Sequence, residues 1–252
     1  MIEKLTITNT SKLPTPWWST VKQLKKIKDI EFKPGMNIIV GKNATGKSTI
    51  ITLLARHFHC EQGGISLITE PSLSTLFTHL HDDDPYPDGY KVRHDGQPVG
   101  FFSPDKIVGH KGYLDYDFIA EDLSNRQMRA SQGQVTMVNV IRTIQTLHKT
   151  DRIEGTMSPD SVNDLWARRI KIVRKLLKGT MPKGPKTLIL DEPERSLDLE
   201  NEIEFFNQAK QAKLQIIMAS HSVFAFMMKD ANIIELNRGY AKNMKEKMDE
   251  LL

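Results

Sequence analysis

The chain of 252 residues is long enough for one sizeable α/β domain with a small insertion, and 39% hydrophobic content excludes wholesale disorder. A formal net charge of +4 is too mild to identify a nucleic-acid partner, so the distribution of charge matters more than its total. A single cysteine (Cys60), no apolar run of membrane-span length and no leader-like opening predict a soluble cytoplasmic protein without a disulfide or a membrane partner.

Ile2 to Thr8 alternates weakly, with Leu5 and Ile7 on one face, and predicts a strand. The loop Leu13-Pro14-Thr15-Pro16-Trp17-Trp18 carries two aromatics that either cover the core edge or stack on a base. The basic stretch Val21 to Ile30 suits a short helix. Ile30-Glu31-Phe32 suits a second strand, and Lys33-Pro34-Gly35 a turn.

Asn37-Ile38-Ile39-Val40 reads as a short buried strand that leads into Gly41-Lys42-Asn43-Ala44-Thr45-Gly46-Lys47-Ser48-Thr49. This run fits G-x-x-x-x-G-K-[ST] at every fixed position. Behind it, Thr49 to Phe58 predicts a helix with Ile50, Leu53, Leu54 and Phe58 on one stripe. Gly41 and Gly46 permit backbone that a side chain would obstruct. The loop amides and the helix N-terminus then face an anion. Lys47 is expected to reach β/γ-phosphates and the Ser48 hydroxyl a Mg²⁺ ion.

Turn formers interrupt residues 61 to 130, and 82 to 89 reads as a surface loop. Val99-Gly100-Phe101-Phe102 is a candidate strand. His57, His59 and Cys60, like His79 and His81, lack the spacing of a zinc site. Ser131-Gln132-Gly133-Gln134 opens a helix with Val135, Val138, Ile141 and Ile144 at helical spacing, an anion-ready N-terminus.

Asp160 to Lys178 predicts an amphipathic helix. Eight Lys/Arg and no Asp/Glu lie between Trp166 and Lys186. Arg168, Arg169, Arg174 and Lys175 therefore form either a solvated face or a contact for nucleic acid or an acidic effector protein.

Thr187-Leu188-Ile189-Leu190-Asp191-Glu192 is an apolar strand ending in two carboxylates. In a parallel sheet such ends face the ligand, where one carboxylate can serve a Mg²⁺ shell and the other a water. Leu199 to Ala212 predicts a helix with Leu199, Ile203, Phe206 and Ala209 inward. Gln215 to Ala219 predicts a buried strand that puts His221 on the same edge as Asp191 and Glu192. A strand over Asn232 to Leu236 and a charged helix from Ala241 to Leu252 complete the chain.

Asp191-Glu192-Pro193-Glu194-Arg195-Ser196-Leu197-Asp198 resembles the segment of ABC-type ATPases that joins the Walker B carboxylates to the D-loop. Met218-Ala219-Ser220-His221-Ser222 resembles their switch-histidine strand. Ser131-Gln132-Gly133-Gln134 resembles the shortened signature of the RecF/SMC-like branch, and is a better match than Leu123-Ser124-Asn125-Arg126-Gln127. The likeness covers 1 to 60 and 125 to 240 and extends to small bacterial "AAA family" ATPases.

The resemblance implies an α/β P-loop NTPase fold: a mainly parallel sheet flanked by helices, with a smaller helical signature lobe. The whole chain would be one ATPase domain, with a nucleotide-binding core over 1–60 and 187–240 and a variable lobe over 61–186. It implies ATP and Mg²⁺ as cofactors. Gly41, Asn43, Ala44, Thr45, Gly46, Lys47, Ser48 and Thr49 would hold phosphate, and Ser48 and Asp191 the metal. Glu192 would polarise water, with Lys47 and His221 at the γ-phosphate. Ser131, Gly133 and Gln134 would reach the nucleotide of a second copy in a homodimer. A slow nucleotide-gated regulatory module and a transporter ATPase subunit are the other readings.

Overall fold

The computed structural model describes residues 1–10, 24–58, 60, 64–66, 89–104, 132–149 and 184–250. The Trp17-Trp18 loop, His59, His79, His81, Leu123 to Gln127, Ser131 and the basic helix Asp160 to Lys178 lie outside the described residues.

Strands β1 (Ile2–Ile7), β2 (Asp29–Glu31) and β3 (Met36–Val40) lead to helix α1 (Lys47–His57). Strands β4 (Gly64–Ser66), β5 (Tyr90–His94) and β6 (Val99–Phe102) follow, then helix α2 (Gln132–Lys149) and strand β7 (Thr187–Asp191). A 3-10 turn (Pro193–Ser196), α3 (Leu199–Gln211), β8 (Gln215–Ala219), α4 (Val223–Met227), β9 (Asn232–Glu235) and α5 (Tyr240–Asp249) complete the order.

Among the described residues six strands form the main sheet in the order β4-β6-β7-β8-β3-β9. β6, β7, β8, β3 and β9 run parallel, and β4 is antiparallel to β6. This is a P-loop NTPase α/β fold. The central strands are continuous apolar runs because both faces are covered. Alternate residues serve different layers. Ile39, Ile189 and Ile217 pack with α1 (Ile50, Leu53, Leu54) and with the antiparallel sheet β2-β1-β5. Ile38, Val40, Leu188, Leu190, Ile216 and Met218 pack under α2, α3 and α4. A register shift between Ile2 and Lys4 lets Ile2 join Leu5 and Ile7 in the core, despite the odd spacing.

The amino ends of the central strands are tied by two fully buried amides. Gln215 Oε1 accepts from Ile2 N and from Thr187 Oγ1, each at 2.7 Å. Its Nε2 donates to Ile2 O at 2.7 Å and to Lys33 O at 3.0 Å. Asn37 Oδ1 accepts from Lys33 N at 2.8 Å and from Asn232 Nδ2 at 2.9 Å. Asn37 Nδ2 donates to Lys33 O at 2.8 Å and to Gly35 O and Ile216 O, each at 3.2 Å. These side chains satisfy groups that would be costly to bury unpaired.

Three local expectations are corrected. Leu24–Lys26 is a turn, not part of a helix, and Asp29 already pairs with Thr6 of β1. On α2 the inward residues are Met137, Val140, Ile144 and Leu147, while Val138 is 41% exposed. The expected series advanced three residues at each step. On a helix of 3.6 residues per turn that series drifts about 60° per step and cannot stay on one face. The observed 3-4-3 spacing stays on one face.

On α3 the inward residues are Phe205, Phe206 and Ala209, with Leu199 63% and Ile203 43% exposed. Burying two adjacent phenylalanines, packed edge to face at 5.2 Å, turns the face between them inward and swings Leu199 out.

Candidate active site

The carboxyl ends of β3, β7 and β8 carry the chemistry. β3 delivers the chain into residues 41–46. A Cβ on Gly41 would sit 2.9 Å from Thr45 Oγ1, 3.1 Å from Asn237 Oδ1 and 3.3 Å from Leu236 Cβ, so a side chain here would force these neighbours to shift. Ala44 (φ 59°) and Gly46 (φ 98°) both take the left-handed conformation, which folds the loop into a tight concavity. Thr45 Oγ1 donates to Lys42 O at 2.8 Å, and Lys42 N donates to Asn237 Oδ1 at 3.1 Å. No side chain caps α1 at Gly46, so its first amides remain available to an anion.

α1 begins at Lys47, two residues before the expected Thr49, which places Lys47 and Ser48 in its first turn. Lys47 is buried, and its Nζ donates to Gly41 O at 3.0 Å and Lys42 O at 3.2 Å. Burial lowers the ammonium pKa, while Glu192, Asp191 and Glu194 pull it back up. Ser48 and Asn43 are exposed, and Thr49 is buried.

β7 ends at Asp191, in register with Ala219 of β8. The next residue, Glu192, is left-handed (φ 45°, ψ 54°), and its N–H donates to Ala219 O at 3.0 Å. A non-glycine residue held there marks a backbone constrained by its surroundings. His221 Nε2 lies 3.4 Å from Glu192 Oε1. Burial lowers the His221 pKa first and Lys47 second, against an opposing pull from Glu192. The imidazole is therefore mainly neutral at neutral pH. Lys47, Asp191, Glu192 and His221 thus share one edge, as their placement at strand ends predicts.

Gly133 and Gln134 lie in the first turn of α2. Lys186 Nζ donates to Leu147 O at 2.8 Å and His148 O at 2.9 Å, anchoring the C-terminal end of α2 beside the start of β7. The helix also packs against the 3-10 turn that follows β7.

Ser48 and Asp191 offer one hydroxyl and one carboxylate. That hard-oxygen set fits Mg²⁺, which keeps waters and phosphate oxygens in the rest of its shell. Among the described residues no cluster of three or more His, Cys, Asp or Glu is placed to cage a metal. His57 packs edge to face with Phe58 at 5.0 Å, and Cys60 Sγ donates to Ala55 O at 3.4 Å.

The residues that sequence reasoning missed are Asn237 and Glu194. Asn237 follows β9 and braces the phosphate loop from outside the motif. Glu194 belongs to the quoted carboxylate motif but received no role. Its Oε1 accepts from Ser220 Oγ and His221 N, each at 2.8 Å. The usable signal was its place two residues beyond Glu192.

The "AAA domain" family profile matches residues 19–56, which span the phosphate loop and most of α1. The chain is 28% identical over 203 residues to an ATP-dependent lipid A-core flippase of Nitrosococcus oceani, covering 75% of this chain and 28% of the flippase. It is 24% identical over 176 residues to a hemin import ATP-binding protein of Myxococcus xanthus, covering 68% of this chain and 58% of that protein. These similarities support an ABC/AAA-type P-loop ATPase. The chain thus spans less than two thirds of either relative's length. Among the described residues no helix is long and apolar enough to cross a membrane.

Proposed function

We propose that this P-loop ATPase binds and hydrolyses ATP with Mg²⁺ as an ABC-type enzyme of the RecF/SMC-like branch. In this reading an ATP-dependent head-to-tail dimer drives or gates a partner protein or nucleic acid. The observation that carries it is the Glu192–His221 pair, 3.4 Å apart on the edge that holds Lys47 and the phosphate loop.

Phosphoryl transfer needs positioning and charge stabilisation more than covalent help. Lys47 and the loop amides take the β- and γ-phosphate charge. Glu192 orients the attacking water and accepts its proton as the new O–P bond forms and the bond to the ADP oxygen breaks. Neutral His221 holds the Glu192 carboxylate in place and meets the γ-phosphate. Ser48 and Asp191 would hold Mg²⁺, which supplies charge neutralisation on the phosphate oxygens when bound.

The sandwich follows from the division of motifs. Gly133 and Gln134 lie in the first turn of a helix separate from the phosphate loop, Ser131 precedes them in sequence, and helix N-termini favour the γ-phosphate of a partner copy. A Glu192→Gln protein should accumulate as an ATP-dependent dimer in light scattering with Mg-ATP. Adding Ser131→Arg should disperse that dimer without loss of ATP binding. A Glu192→Gln protein that binds ATP and stays monomeric overturns the sandwich.

The basic stretch 166–186 is the proposed partner contact, read by salt-dependent oligonucleotide binding. The transporter reading has one supporting observation: both curated relatives carry transport names. ATPase activity from the chain purified alone, without membranes, separates the two.

A further inference from the structure

We propose that Glu194 is the positioning residue for His221, setting the histidine backbone while Glu192 meets its ring. The idea deepens the ATPase reading and rests on it for its kinetic arm. The left-handed turn at Glu192 reverses the chain into Pro193–Ser196, which brings Glu194 back beneath the end of β8. There Glu194 Oε1 accepts two hydrogen bonds, from Ser220 Oγ and from the His221 amide, each at 2.8 Å. Ser220 Oγ in turn accepts from Ser222 N at 3.0 Å, and Ser222 Oγ accepts from Phe224 N at 3.0 Å to cap α4. Ser220 N also donates to Ile39 O at 3.3 Å, but the carboxyl oxygen is what holds both the Ser220 hydroxyl and the His221 amide in this bend.

Among the described residues the other oxygen, Oε2, is buried without a hydrogen-bond partner. Such an arrangement is expensive for a residue with only a structural task, since an apolar side chain would fill the space without desolvating a charge. Burial raises the Glu194 pKa, in keeping with that cost. What the carboxyl supplies is a fixed acceptor for the one amide whose position decides where the His221 ring stands. Two acidic side chains two residues apart then grip His221 from opposite ends, Glu192 at Nε2 and Glu194 at the backbone.

The test compares Glu194→Ala, which removes the acceptor, with Glu194→Gln, which keeps an oxygen in its place. Glu194→Ala should lower kcat by about tenfold to a hundredfold with KM for ATP changed by less than about threefold, the cost of a misplaced group in a positioned site. Glu194→Gln should restore kcat to within about threefold of the native enzyme. In a His221→Ala background, Glu194→Ala should cost nothing further, because residues acting as a unit are not additive.

A readout independent of turnover is the imidazole NMR signal of His221, assigned by its loss in His221→Ala. It should shift or broaden in Glu194→Ala and return towards the native position in Glu194→Gln. Should Glu194→Ala not fold, Ser220→Ala removes one of the two donors and should move the same signal. Native imidazole signals in either folded variant, or an equal loss of kcat with and without His221, overturn the proposal. Absence of ATP hydrolysis by the native protein counts against the ATPase reading instead, and leaves the imidazole measurement to decide this one.

Discussion

The two edges of the parallel sheet treat polar side chains in opposite ways. At the amino edge, Asn37 and Gln215 are fully buried, and both their oxygens and their amide nitrogens are hydrogen-bonded at 2.7 to 3.2 Å. At the carboxyl edge, Lys47 and Glu194 are displaced in pKa by burial, Glu192 and Ala44 hold left-handed backbone, and the His221–Glu192 contact is long at 3.4 Å. Fully paired neutral amides make a rigid floor with nothing left to offer. Charged groups with spare bonding capacity make a site. Stability and chemistry therefore reside at opposite ends of the same strands.

The largest expected effect breaks the carboxyl edge alone. Glu192→Gln should lower ATP turnover by about 10²–10⁴-fold, the usual contribution of a positioned base. ATP affinity and the urea midpoint should hold, since the side chain is partly exposed and not a packing element. Phosphate release beside calorimetry checks it. Loss of binding together with turnover would mean that Glu192 shapes the pocket and is not the base.

The converse variant breaks the amino edge alone. Gln215→Leu leaves Ile2 N, Ile2 O and Thr187 Oγ1 without their partner. It should cost about 3 kcal/mol in urea unfolding, the order expected for several orphaned buried groups. kcat measured well below the new midpoint should be unchanged. A stable Gln215→Leu protein would show that water or repacking replaces the amide, and the contrast between the edges would weaken.

A smaller effect lies where packing and binding meet. In Gly41→Ala the new methyl group presses on Thr45 Oγ1 and Asn237 Oδ1, which both fasten to Lys42. We expect weaker ATP binding by about 1–3 kcal/mol, the cost of overpacking a tight site. Removing the pressure with a second change, Asn237→Ala, should recover part of that loss. Additive losses in the double variant would place the clash elsewhere.

These edges were unequally legible in the sequence. The phosphate loop and the strand carrying Asp191 and Glu192 announce themselves through fixed spacing and unbroken apolar runs. The strand ends then imply that His221 joins them. Glu194 and Asn237 carry no periodic signal, because their roles depend on a left-handed turn and on a strand distant in sequence. The same limit applies to helix faces. Apolar residues lie on more than one side of α2 and α3, and tertiary packing of Phe205, Phe206 and Met137 selects the face. Short strands such as β4 and β5 were unread for a related reason: Gly64 and the polar Lys91 and Arg93 mask edge pairing that only the partner strand specifies.

The smallest effect sharpens the comparison through pH. Burial raises the Glu194 pKa, so over the window above the ordinary carboxylate range the folded protein holds a proton that the unfolded chain has released. That contribution to stability is present at low pH and lost as pH rises through the raised value. His221 behaves oppositely. Its pKa is lowered, so as pH falls below about 6.5 the unfolded chain takes up a proton before the folded one does, and stability declines towards acid. Urea midpoints between about pH 4 and pH 8 should therefore respond differently to two carboxyl-edge variants. Glu194→Gln should flatten the fall on the alkaline side of the carboxylate range. His221→Asn should flatten the decline on the acid side of the histidine range. Gln215→Leu, whose amide does not titrate, should move the profile down without changing its shape. Carboxyl-edge variants whose profiles run parallel to the native one would mean that neither group is shifted by folding. The division between a titrating edge and a silent one would then fail.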